Sequence, residues 1–321
     1  MSAELPAVSA DARPSAWRMI LVVAFLGACF VTIRFARGAA PPLWLATLRA
    51  LIAGAVLLGY ATWRGRARPI GLSQWGVIGV LGLANATFAG GAMYLAAARL
   101  PTGIASVLAN AQPLLIVLPA WLLYRERPHR GAVVGLFVGM AGLLVVGLPG
   151  GGGSGAVLAV GAAAAGTAGT LLARRLGALD NVVAAGWSFL AGAGALAVWA
   201  LADEGAPHIA WTWRLIGALG FLAIPGTAVV YVVWFHEARR CPLYRLAAWT
   251  FAVPAFGLVL AVLIEGERPS AWTTTGLGIV LASLWLVLRG DKTTRPPHGL
   301  GQAPRTSDTT SEAASRGSRS L

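Results

Sequence analysis

The sequence predicts an all-α integral membrane protein whose ten transmembrane helices form two inverted five-helix repeats. Three observations predict it. Of the 321 residues, 57% are hydrophobic and only 12% charged, about half the roughly 25% charge of a globular domain. The apolar residues fall into ten stretches close to the roughly 20 residues that cross a bilayer. Landmarks of the first half return in the second at a constant spacing.

Mean hydropathy is +0.71, which excludes a soluble enzyme and a disordered chain. The 41 glycines suit helices that pack through small residues in lipid. An excess of 25 basic over 12 acidic residues gives a net charge of +13. In a soluble protein that would suggest nucleic acid. Here it suits cytoplasmic loops and anionic headgroups, so the expected partner is the lipid bilayer and not nucleic acid. Cys29 and Cys241 form no disulfide framework or metal site.

In order, the expected helices are Ala16–Phe35, Pro42–Trp63, Trp75–Ala97, Thr102–Tyr124, Gly131–Leu148, Ala156–Ala173, Val182–Ala202, Leu215–Phe235, Leu246–Ile264 and Trp272–Leu288. Leu26-Gly27-Ala28-Cys29 resembles a lipoprotein cleavage site, but the apolar run continues through Ile33, so the first helix is read as retained. The expected organisation is a cytoplasmic N-terminus (1–15), one repeat (16–148), a Gly-rich linker (149–155), a second repeat (156–289) and a disordered cytoplasmic tail (290–321). Lys and Arg set the orientation. With the N-terminus inside, sixteen of them fall in near-membrane cytoplasmic segments, among them Arg64, Arg66, Arg125, Arg174, Arg239 and Arg245. Five fall outside: Arg34, Arg37, Arg99, Arg214 and Arg268. Both termini are therefore expected in the cytoplasm, with the protein in the plasma membrane.

Pro101, Pro113 and Glu126-Arg127-Pro128 return as Pro242, Pro254 and Glu267-Arg268-Pro269; 242 − 101, 254 − 113 and 267 − 126 all equal 141. Over Pro101–Leu148 against Pro242–Arg289, 13 of 48 positions are identical. Five helices per copy is an odd number, so the second copy should lie upside down. The charges agree: the loop at Glu126 is rich in arginine, whereas its copy carries Arg268 alone. Inverted repeats with a site near the midplane are a mark of secondary transporters.

The stretches Gly27-Ala28-Cys29-Phe30-Val31-Thr32-Ile33-Arg34, Pro41-Pro42 leading to Leu48-Arg49, and Pro113 followed by Glu126-Arg127 resemble EamA-type members of the drug/metabolite transporter superfamily. Tyr231-Val232-Val233-Trp234-Phe235, Pro254 and Gly266-Glu267-Arg268-Pro269 extend the resemblance through the second copy. It implies ten helices around a central cavity lined mainly by the first, third, fourth, sixth, eighth and ninth, and export or exchange of small metabolites, often amino acids or related amphiphiles. The tryptophan common before the first-helix glycine is Leu26 here.

The one lysine, Lys292, follows Asp291, so no GK[ST] phosphate loop exists and no nucleotide cofactor is expected. His129, His208, His236 and His298 show no zinc spacing, so no metal is expected. All twelve carboxylates lie in loops, tails or helix ends. Glu237, beside His236 and Arg239, reads as a capped, solvated helix end paired with arginine rather than as a proton relay. Glu126 and Glu267 are expected to pair with Arg127 and Arg268 or to cap a following turn.

Arg49 lies inside the second helix, where exposure to lipid would cost about 2.5–3.5 kcal/mol. It is either a structural clamp or a contact for a substrate carboxylate. Asn85, Asn110 and Gln112 lie deep, where unsatisfied amides are costly; for Asn85 an interhelical hydrogen bond is an equal reading. Pro113 and Pro254 are expected to break the fourth and ninth helices and expose polar backbone. Tyr231, Trp234, Trp249 and Thr250 would supply a facing, largely aromatic wall. These seven residues with Arg49 form the expected substrate site, an amide-bearing wall against an aromatic one, suited to an amphipathic metabolite. No clustered carboxylates or histidines support catalysis, so no enzyme is expected. The expected function is a secondary transporter of small metabolites. Flipping of lipid-linked or other amphiphiles, or multidrug efflux, is the alternative, and a homodimer is left open.

Overall fold

The computed structural model describes residues 12–66, 71–126, 128, 130–147, 153–176, 179–266 and 269–289. Most of the expected linker and the whole tail lie outside the described residues, as do Arg127, His129, Glu267 and Arg268. Among the described residues the helical segments group into ten stretches along the apolar runs. They are α1 (Ala16–Phe35), α2 (Pro42–Trp63), α3 (Leu72–Arg99), α4 (Thr102–Ala109 and Gln112–Tyr124), α5 (Arg130–Gly147), α6 (Ser154–Ala173), α7 (Asn181–Asp203), α8 (Trp213–Ala238), α9 (Leu243–Ala248 resuming at Val253–Glu265) and α10 (Ala271–Arg289). Among the described residues, seven are long and apolar enough to cross a membrane, and α4, α5 and α10 supply shorter apolar stretches. The outer surface is apolar, with Phe137, Val157 and Leu263 exposed, and Trp17, Trp63, Trp213 and Trp272 stand near helix ends, where interfacial tryptophans gather.

Four helices are interrupted, and the interruptions repeat. A π-helical stretch begins at Leu83 in α3 and at Ile224 in α8, and 224 − 83 = 141. The second segment of α4 begins at Gln112 and that of α9 at Val253, and 253 − 112 = 141. The same spacing separates the starts of α3 and α8 (213 − 72) and of α5 and α10 (271 − 130). The duplication therefore carries the breaks in the backbone ladder as well as the hydrophobic pattern. Pro113 and Pro254, expected to break these helices, stand just after the breaks, and a proline disfavours helix in the residues that precede it. Each is the second residue of a new segment, where a missing N–H costs nothing. The ladder changes just before them, at Asn110–Ala111 and over Trp249–Ala252.

Packing between helices is reciprocal: α1 packs on α9 as α6 packs on α4, while α2 pairs with α7 and α5 with α10. Exchanging each helix for its copy maps these pairings onto themselves. Close approach depends on small residues: a Cβ on Gly192 would lie 2.4 Å from the Gly82 carbonyl oxygen, and one on Gly82 would lie 2.3 Å from that of Ser188. Helix ends are also tied across copies. Glu204, after α7, accepts from the N–H groups of Leu43 and Trp44 at the start of α2 (2.8 and 3.1 Å). Asp180 caps α7 through Val182 and Val183 and pairs with Arg66, after α2, at 2.6 Å. Carboxylates suit these N-termini because unpaired N–H groups and the helix dipole both favour negative charge.

Candidate functional site

A cavity of about 120 Å³ lies between the copies. Its walls come from α1, α2, α3, α4, α6, α8 and α9, through residues including Cys29, Arg49, Asn85, Asn110, Gln112, Thr170, Tyr231, Trp234 and Thr250. Six pairs of lining residues are 141 apart: Cys29 and Thr170, Asn85 and Gly226, Ala89 and Val230, Gly90 and Tyr231, Met93 and Trp234, Ala109 and Thr250. The cavity therefore sits where the two copies meet, with near-equivalent backbone on both sides. The side chains differ. Where the first copy has Gly90 and Met93, the second has Tyr231 and Trp234, and where the first has Asn85, the second has glycine.

Seven of the eight expected site residues line the cavity; Trp249 does not. It is half-buried against apolar clusters holding Val23 and Phe30, and its buried indole N–H has no partner. The repeat explains this. Trp249 corresponds to Leu108, which packs in the same cluster, while the next position, Ala109 or Thr250, faces the cavity in both copies.

A hydroxyl missed by the sequence reading organises one wall. Thr170 donates to the Gly166 carbonyl at 3.0 Å and accepts from Gln112 Nε2 at 2.7 Å and from Trp234 Nε1 at 3.0 Å. One donor and two acceptor sites exhaust a hydroxyl, so Thr170 joins α4, α6 and α8 at one point. Its one legible signal was its position, 141 residues after Cys29. Asn110 is spent locally: its N–H bonds Val107, three residues back, and its side-chain Nδ2 takes the Ser106 carbonyl at 2.6 Å. That bond satisfies a carbonyl left over by the interrupted ladder.

The cavity wall also holds a cationic corner. Arg49 is buried, stacks over the Tyr94 ring at 5.1 Å and lies so close to Gly90 that a Cβ there would be 2.9 Å from Nη2. Asn85 nests on Gly169, where a Cβ would fall 2.0 Å from its Oδ1.

One turn beyond Thr170, just past the end of α6, charged groups clasp the copies together. Arg174 donates to the carbonyls of Ala238 (2.9 Å) and Cys241 (2.6 Å) and pairs with Glu126 at 2.5 Å. Glu126 also accepts the N–H of Leu243 at the start of α9 (2.8 Å). It thus caps a helix of the other copy directly, and its ion-pair partner, Arg174, is one the sequence reading had not chosen. Burial raises the Glu126 carboxyl above its ordinary range, opposed by Arg174 and the Leu243 N–H. Glu237 also departs from expectation. It is buried, not solvated, and pairs with Arg18 of α1 at 2.8 Å, while Arg239 donates to Leu179 and Asn181 instead. No group of three or more potential metal ligands occurs among the described residues.

A crystal structure at 23% identity superposes with a TM-score of 0.70, covering 86% of this chain and 98% of that one, which shows the fold. Relatives include an uncharacterized transporter of Synechocystis (27% identical, covering 81% of this chain and 86% of the relative) and the uncharacterized transporter YvbV of Bacillus subtilis (28%, 84% and 91%). A probable amino-acid metabolite efflux pump of Salmonella typhimurium is 25% identical over 88% of this chain and 97% of its own length. The EamA-like transporter family matches twice, over residues 14–148 and 153–289. With two family repeats spanning nearly all of the described helices, the chain belongs to the EamA-like transporter family of the drug/metabolite transporter superfamily.

Proposed function

We propose that this chain is a plasma-membrane secondary transporter that exports or exchanges small metabolites, amino acids or related amphiphiles. Substrate would occupy the cavity between the copies and gain access alternately from each side as one copy rocks against the other. Both termini would be cytoplasmic and the copies inverted, 16–148 against 156–289. The observation that carries this reading is the cavity itself: it lies at the junction of two equivalent five-helix copies, and its walls include four interrupted helices. Irregular backbone inside a membrane is tolerated where it is buried in protein or lines a cavity, and π stretches are frequent at functional sites. The Arg174–Glu126 clasp would hold one end shut while the other opens. The test is untargeted metabolite profiling of cells and medium with and without the protein. Small amphiphiles should accumulate in the medium and fall inside cells that make it. Unchanged profiles at verified membrane abundance would refute the reading.

A further inference from the structure

Two buried N–H groups in the cavity wall have no acceptor among the described residues. Arg49 is 4% exposed and its Nε lacks a hydrogen-bond partner. Asn85 is also 4% exposed, and its Nδ2 lacks one. Both line the cavity, and Arg49 Nη2 reaches Gly90, one turn of the π stretch of α3 after Asn85. Glycine at 90 and 169 leaves exactly the room these two side chains occupy. Among the described lining residues there is no aspartate or glutamate, and the guanidinium there meets the face of Tyr94. A buried cation without a counter-charge is costly, and a ligand carboxylate with fork geometry would neutralise it.

We infer that Arg49 and Asn85 form an anion-binding point, and that the substrate is a small carboxylate with an apolar body near one ring in size. This rests on the transport reading above and narrows it to a substrate class. One ring fits: about 120 Å³ is comparable to the roughly 150 Å³ of a cavity that admits benzene. The body would lie against Tyr231, Trp234 and Phe235, which the second copy supplies. An ammonium group finds no carboxylate in the wall, so the acid should bind better than the matching amine.

The test uses the purified full-length protein in detergent, with phenylacetate, phenylacetamide and phenethylamine as probes, read by the ligand-induced rise in melting temperature and by tryptophan fluorescence. Phenylacetate should bind roughly tenfold tighter than either neutral or cationic analogue. Arg49→Gln should abolish that preference, Arg49→Lys should keep part of it, and Asn85→Ala should weaken the acid several-fold while leaving the amide unchanged. If Arg49→Gln fails to fold, Gly90→Ala, which must displace Nη2, should show the same loss. Equal binding of acid and amide, preference for the amine, no binding of any probe, or a preference that survives Arg49→Gln would overturn the inference. Displacement of phenylacetate by short-chain phosphatidylglycerol at equal concentration would assign the anion to a lipid headgroup and overturn the soluble-carboxylate class. Proteoliposomes loaded with the three probes separate the two levels. Release without acid preference removes only the anion point, whereas release no faster than from protein-free vesicles removes the transport reading.

Discussion

Gln112 and Thr170 are hydrogen-bonded at 2.7 Å across the two copies, amide to hydroxyl, and the same oxygen receives the Trp234 indole at 3.0 Å. Gln112→Leu keeps helix propensity and most of the side-chain bulk while deleting a bond worth about 0.5–1.5 kcal/mol. Apparent substrate affinity should fall several-fold with membrane abundance near normal. Thr170→Val should cost more, because it leaves two donors unpaired instead of removing one. Export of the identified metabolite from loaded vesicles, normalised to protein level, checks both. Normal transport by Gln112→Leu would make that residue a packing element.

Much of the fold was legible because apolar runs and the 141-residue spacing report directly on spans and duplication. The breaks inside helices were only half legible. Prolines marked the neighbourhood, and the ladder changes within the turn before them, at residues such as Ala111 and Trp249 that carry no break signal of their own. The side-chain directions at those breaks could not be read from a regular 3.6-residue period, so Trp249 was placed in the site while its neighbour Thr250 is there. Cross-copy partners were equally hidden. Glu126 lies between two arginines in sequence and Glu237 lies two residues before Arg239, yet the fold gives them Arg174 and Arg18. Thr170 carries no charge and no motif, and its role arises from three helices meeting at one hydroxyl.

The clasp predicts a pH dependence. Burial favours the protonated form of Glu126, so the folded state holds more protons than the unfolded chain from the ordinary value of 4.5 up to the raised one. Stability from this group is therefore highest below 4.5 and declines as pH rises through that window. Thermal melts of the detergent-solubilised protein across this range should show the decline, and Glu126→Gln should flatten it. An unchanged slope in Glu126→Gln would assign the dependence to other groups.

Arg125 is the only non-glycine with positive φ among the described residues, at 54°. Its counterpart 141 residues on is Gly266, at φ 66°. The left-handed region is strained for a side chain and free for glycine. Arg125→Gly should therefore stabilise the protein by about 0.5–1 kcal/mol, raising the melting temperature without altering transport. A lower melting temperature would mean that the arginine side chain contributes more than its backbone costs.

Alternating access between the copies requires them to cross the membrane in opposite senses. Ser154, at the start of α6, and Arg64, just after α2, are both exposed and should lie on opposite sides. The measurement is labelling of Ser154→Cys and Arg64→Cys in intact cells by an impermeant thiol reagent, in a background lacking Cys29 and Cys241. Opposed copies predict labelling at 154 from outside, with 64 labelled only after the membrane is opened. Labelling of both positions in intact cells, or of 64 alone, would contradict it.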